Sequence, residues 1–238
     1  MNDTQTKNES AFQKIQKGRQ RTNILRKYEQ MSIAYLVQRI PSWITSDMLT
    51  GIGFFGSVLN LLAFVLARYY YRPLLLIGII GFIVNWFGDS LDGRLAYYRN
   101  TPRKWYGFSL DLCADWITAI LIGSGVIIYI EGDWDYFGFL FVSMYGLAMM
   151  IALLRYKIVN IYSIDSGLFG PTEVRILLAL ILITEVVFPG SIVYSTIGGN
   201  IVLIAVNISD FSKLLKMADA RDKEELAEKN HKISIASP

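Results

Sequence analysis

Six long apolar stretches constrain this chain more than any other feature. They run at about 48–68, 73–96, 106–130, 135–156, 172–190 and 192–212, each near or above the roughly twenty residues a helix needs to cross about 30 Å of hydrocarbon. Composition points the same way: 53% of the 238 residues are hydrophobic and 18% charged, against about a quarter charged in a soluble domain. The expected fold is all-α and integral to the membrane, with six transmembrane helices preceded by an interfacial one. The same balance excludes a disordered chain, a disulfide-stapled secreted domain and an ordinary soluble enzyme.

The flanking segments are polar. Residues 1–22 read as a flexible basic arm that meets membrane lipid rather than nucleic acid. Over 23–45, apolar residues such as Ile24, Leu25, Tyr28, Ile33 and Leu36 alternate irregularly with Arg26, Lys27, Glu29 and Arg39. That stretch is too charged to span a bilayer and apolar enough to lie along one, so an amphipathic interfacial helix is expected. Pro41 and a Ser46-Asp47 cap open the first span. The membrane domain is expected over 46–213, followed by a polar tail at 214–238 whose acids and bases alternate in helical fashion.

Lys and Arg in the short loops set the orientation. Arg94, Arg99, Arg103 and Lys104 gather around the loop between spans two and three, Arg155 and Lys157 follow span four, and Lys213 and Lys216 follow span six. The opposite loops carry Glu131, Asp133 and Asp135, or no charge at all. Only Arg68 and Arg72 run against the trend. Both termini are therefore predicted to be cytoplasmic.

The chain has one cysteine, Cys113, and one histidine, His231 in the tail. Zinc sites built from Cys and His are excluded, as are Ser-His and Cys-His nucleophile pairs. Chemistry falls to carboxylates, hydroxyls, Lys, Arg or a hard metal ion.

Four aspartates lie within or beside spans two and three: Asp89, Asp92, Asp111 and Asp115. Fifteen residues without charge precede Asp89 and fifteen follow Asp115. At 1.5 Å per residue each is about 22 Å of helix, which leaves these acids roughly 8 Å from the cytoplasmic boundary. Asp89 and Asp115 are thus expected at one level on two antiparallel neighbours, with Asp92 and Asp111 forming a second rung nearer the cytoplasm. One aspartate near a boundary is ordinarily paired or marks a helix end. Four at matched depth repel one another and cost free energy in the membrane unless cations neutralise them. Oxygen-only ligands favour Mg²⁺, Mn²⁺ or Ca²⁺, and two ions about 3.5–4 Å apart would fit two rungs and suit phosphoryl displacement. Arg99 falls on the stripe 89–92–96–99 and is expected to reach over the acids.

The residues Asp89-x-x-Asp92-Gly93-x-x-Ala96-Tyr97, followed by Gly107-x-x-x-Asp111-x-x-x-Asp115, resemble the signature of the CDP-alcohol phosphotransferases, integral-membrane enzymes of phospholipid synthesis. That signature is D-x-x-D-G-x-x-A-R, a short gap, then G-x-x-x-D-x-x-x-D. Two departures stand out: Tyr97 replaces the arginine, and the gap before Gly107 is about one residue longer. The resemblance implies Asp89, Asp92, Asp111 and Asp115 as ligands of two Mg²⁺ or Mn²⁺ ions, with Asp115 also the general base. It implies that Gly93, Ala96 and Gly107 make room for the CDP moiety, joined by Asp47 and Thr50 at the first span and by Arg99 or Arg94 in place of the missing arginine. The stretch Gly170-Pro171-Thr172-Glu173 is similar to one in the choline and ethanolamine phosphotransferases. Family members are commonly homodimers.

Arg155, Glu173 and Arg175 are candidates for an acceptor or lipid phosphate, although a boundary arginine and a helix-dipole carboxylate are ordinary features. The expected activity is transfer of a substituted phosphate from a CDP-linked donor, either CDP-diacylglycerol or a CDP-aminoalcohol, to an alcohol or lipid acceptor, with release of CMP. The competing expectations are a divalent-cation transporter and an inactive relative that serves as a membrane scaffold.

Overall fold

The computed structural model describes residues 25–159 and 170–236; the basic arm expected at 1–22 lies outside the described residues. Among them are seven α-helices and one 3-10 turn. They are α1 (Arg26–Val37), α2 (Ser46–Tyr69), the turn Arg72–Leu76, α3 (Ile77–Tyr98), α4 (Lys104–Ile130), α5 (Tyr136–Val159), α6 (Pro171–Val187) and α7 (Ser191–Ala236).

Five of these segments are long and apolar enough to cross a bilayer: α2, the turn with α3, α4, α5 and α7. In hydrocarbon only a helix or a closed barrel satisfies every backbone amide and carbonyl within itself. The chain is accordingly a multi-pass helical membrane protein. The segment expected at 172–190 is a helix of 17 residues, about 26 Å long, so it falls short of the full hydrocarbon thickness. Its last expected residues, Phe188 to Gly190, form the turn into α7, with Gly190 at positive φ. The tail expected from residue 214 is not a separate element. It continues α7 to Ala236, giving a helix of 46 residues and about 69 Å, twice what a bilayer requires.

The interfacial segment is shorter than expected, because α1 ends at Val37, ahead of Pro41. It lays Ile33, Ala34 and Val37 on Leu49 of α2 and Leu91 and Leu95 of α3. Tyr28, Met31 and Tyr35 remain exposed on its other face. The cap of α2 is one residue earlier than expected: Thr45 Oγ1 accepts from the Met48 N–H at 3.2 Å. The Ser46 hydroxyl instead donates to the Asp92 carbonyl at 2.6 Å.

Small residues bring α2 and α3 together. A methyl group at Gly88 would run into the Gly53 backbone and the Leu49 carbonyl, and one at Gly56 into the Asn85 backbone. Close backbone approach of this kind drives helix association where lipid removes any hydrophobic incentive. The parallel helices α5 and α7 use a different device. Asn200 donates to the Phe137 carbonyl at 3.0 Å and Asn207 to the Met144 carbonyl at 2.8 Å, a shared step of seven residues. One step further, Leu214 and Ile151 are buried, and after another Arg221 donates to the Ile158 carbonyl at 2.6 Å. A strict seven-residue register is that of a coiled-coil seam.

The two arginines that run against the charge trend belong to the other end of the bundle. Arg68, closing α2, forms an ion pair with Glu131, which follows α4. Nearby, the buried Glu185 accepts from the Ile192 N–H at 2.8 Å, the Gly190 N–H at 3.0 Å and the Tyr129 hydroxyl at 2.9 Å. One carboxylate thereby caps the start of α7 and ties α4 to α6.

Candidate metal centre and substrate cavity

A short, sharp turn creates the site. Helix α3 ends with Asn100 in the left-handed region at φ 58°, where an asparagine is tolerated better than most side chains. The Thr101 N–H donates to the Ala96 carbonyl and the Asn100 N–H to the Tyr97 carbonyl, the paired bonds of a Schellman stop. Pro102 follows, and α4 begins at Lys104 and runs back antiparallel. Both helices pack on α2, and their aspartates reach toward one another across the space between α3 and α4.

Carboxylate oxygens of Asp89, Asp111 and Asp115 all lie within 4.8 Å of one another, and all three residues are half-buried. Oxygen ligands stand about 2.0–2.1 Å from Mg²⁺ and 2.3–2.6 Å from Ca²⁺. Three oxygens at this spacing therefore fit around one hard divalent ion, and the donor set is the right one. Asp92 departs from the two-rung arrangement. A step of three residues turns a side chain about 60° around the helix, whereas the four-residue step from Asp111 to Asp115 turns it only about 40°. Asp92 consequently faces α2, where it accepts from the Thr50 hydroxyl at 2.7 Å and from its neighbour's Gly93 N–H at 2.5 Å. It remains within electrostatic reach of Asp111 and Asp89.

A cavity of about 770 Å³ opens beside this cluster, lined by the start of α2, the end of α3 and the start of α4, with Tyr156 contributed by α5. Asp89, Asp92 and Asp111 line it, as do Asp47, Thr50, Gly93, Ala96, Arg99 and Gly107. Asp115 sits one helical turn deeper. A methyl group added at Gly93 or Gly107 would meet no protein atom within 4 Å, so these glycines border open space. At the mouth Asp47 pairs with Arg103, and this hydrogen bond to a carboxylate raises the Arg103 pKa above its ordinary value.

Three expected site residues have other partners. Arg99 borders the cavity, but its guanidinium does not reach over the acids. It donates to the Ile40, Pro41 and Ile44 carbonyls at 3.3, 2.9 and 2.5 Å and so ties down the loop between α1 and α2. These carbonyls belong to the loop that joins the two helices, and an arginine fork can gather several of them. Arg155 pairs with Asp210 of α7 at 3.4 Å. Glu173 accepts from the Gly170 N–H at 3.0 Å and the Leu25 N–H at 2.9 Å, capping α6 and anchoring the start of α1. Among the residues that line the cavity, neither Arg155 nor Glu173 appears.

Arg175 gains importance instead. Its Nη2 donates to Asp89 Oδ2 at 2.6 Å and its Nε to Asn85 Oδ1 at 2.7 Å. Asn85 in turn donates to the Gly53 carbonyl and to Ser57 Oγ, each at 3.0 Å, and Ser57 Oγ lies 2.7 Å from Thr118 Oγ1. A buried polar chain thus joins four helices behind the acids. Two signals pointed to it in the sequence: Asn85 precedes Asp89 by four residues and so shares its helix face, and Arg175 lies within the apolar stretch 172–190.

No protein-family model matches the chain, and no curated protein matches it.

Proposed function

We propose that the protein is a CDP-alcohol phosphotransferase that uses divalent metal to move a substituted phosphate from a CDP-linked donor to an alcohol, releasing CMP. The observation that carries this reading is the meeting of the Asp89, Asp111 and Asp115 carboxylates, from two antiparallel membrane helices, beside a cavity large enough for a nucleotide. Mg²⁺ or Mn²⁺ held by these residues would neutralise the diphosphate and the charge on departing CMP. A second ion would draw on Asp111 and Asp92.

The chain's own residues have distinct parts. Asp115 accepts the proton of the acceptor hydroxyl. The acceptor oxygen then bonds to the donor's outer phosphorus, the bond from that phosphorus to the oxygen of CMP breaks, and CMP leaves with the electron pair. Arg94, Arg103 and Lys104, which line the cavity, offer positive charge to the diphosphate in the place of the signature arginine that Tyr97 replaces. Gly93, Ala96 and Gly107 leave space for the cytidine and ribose. Arg155 and Glu173 have no part in this scheme.

Six spans, with α6 as a short one, a cytoplasmic active site and both termini in the cytoplasm complete the proposal, together with a homodimeric state. The deciding experiment incubates the purified protein with CDP-diacylglycerol and with CDP-aminoalcohols, each with small-alcohol or diacylglycerol acceptors, and scores CMP. One donor-acceptor pair is expected to release CMP in a metal-dependent way. Silence across the panel together with divalent-ion uptake by proteoliposomes would replace the enzyme with a transporter. Silence in both assays would leave a scaffold.

A further inference from the structure

The guanidinium of Arg175 occupies an unusual place for a cation. It arrives from α6, outside the two helices that supply the acids, and its side chain is 14% exposed. It grips Asp89 directly at 2.6 Å, and it also feels the charge of Asp115. Its second bond, to Asn85, rests on the buried chain through Gly53, Ser57 and Thr118, so the group is held from behind. The planar arginine fork makes both bonds at once, which keeps its charge beside the acids.

The metal centre proposed above lies within a few ångströms of this fixed charge, because Asp89 belongs to both. A doubly charged ion and a guanidinium so close repel each other strongly in a partly buried site. The carboxylates alone would favour an ion at all times. With Arg175 pinned among them, the resting centre already has part of its charge compensated. An arriving diphosphate adds negative charge and shifts the balance back toward the ion.

We infer that Arg175 is a positioning residue, a built-in counter-cation that weakens divalent-ion binding to the resting site and thereby couples ion loading to the arrival of an anionic diphosphate. The inference rests on the metal-dependent reading above and concerns how that site is regulated. Coupling of this kind is reciprocal: whatever the diphosphate does for the ion, the ion does for the diphosphate.

The test is Mn²⁺ binding to the full-length protein in detergent, followed by electron paramagnetic resonance at buffered free Mn²⁺, with and without CDP. In the unaltered protein CDP is expected to tighten Mn²⁺ binding. In Arg175→Gln, Mn²⁺ alone is expected to bind at least about tenfold tighter, as follows from removing a nearby like charge, and the added effect of CDP is expected to shrink. Arg175→Lys, which keeps the charge, is expected to stay close to the unaltered protein and guards against a folding defect. Unchanged or weaker Mn²⁺ binding in Arg175→Gln, beside a normal Arg175→Lys, would overturn the counter-cation role while leaving the metal centre standing. If the unaltered protein binds Mn²⁺ no better than Asp111→Asn, the metal centre and this inference fall together.

Discussion

Each end of the helix bundle gathers carboxylate where a membrane protein ordinarily avoids it, and the two ends handle it in opposite ways. At one end Glu185 is enclosed by donors: two backbone N–H groups, the Tyr129 hydroxyl and the Ser191 hydroxyl at 3.2 Å. At the other, Asp89, Asp111 and Asp115 crowd against one another with the guanidinium of Arg175 at the edge. A carboxylate ringed by donors holds structure together. Carboxylates ringed by carboxylates raise the energy of the fold, and they persist where a bound cation repays it. The contrast sets a structural joint at one end against the proposed metal centre at the other.

Excess chelator provides the most severe test of that distinction. CMP release is expected to stop completely and return when Mg²⁺ is restored, while the Glu185 end is indifferent. Next in size is Asp115→Asn: loss of a general base reduces turnover about 10²–10⁴-fold, and thermal unfolding in detergent is expected at an equal or higher temperature because one like charge has gone. A marked fall in stability would make Asp115 a structural residue and erase the contrast.

Glu185→Ala is expected to do the reverse. It leaves buried donors unmatched, costs about 1–3 kcal/mol of stability, and spares turnover per folded molecule. A pair of glycines sharpens the comparison further. Gly88→Ala, which would press on the Gly53 backbone, is expected to lower stability, whereas Gly93→Ala, which faces open space, is expected to leave stability alone and raise the donor KM. The smallest effect belongs to the α5–α7 seam: Asn207→Leu is expected to cost only about 0.6 kcal/mol, the average for a hydrogen bond between membrane helices.

Much of this layout was legible in advance, for identifiable reasons. The apolar stretches are long and their charges sit at the ends, so the existence of the helices followed from transfer energetics. Equal charge-free runs on either side of Asp89 and Asp115 fixed their common depth, since a helix rises by a constant step. Side-chain direction was harder to read. Asp92 turned to Thr50 because α2 packs on that side of α3, a fact that spacing along α3 does not contain. Arg99 lies on the same helical stripe as the acids, yet the loop between α1 and α2 left carbonyls within its reach. Glu173 and Arg155 took the nearest donor and acceptor, as boundary residues ordinarily do.

The sequence by itself determined that the chain crosses a membrane on long apolar helices and that Asp89 and Asp115 lie at one level, because hydrophobic transfer and helical rise act along one dimension. The tertiary structure alone decided that three of the four acids converge, that Arg175 comes from a distant helix to meet them, and that Glu185 is fully enclosed at the far end. Those outcomes depend on which helix faces lie against each other, and helix rotation is fixed by packing of small residues and buried polar bonds between segments far apart in the chain.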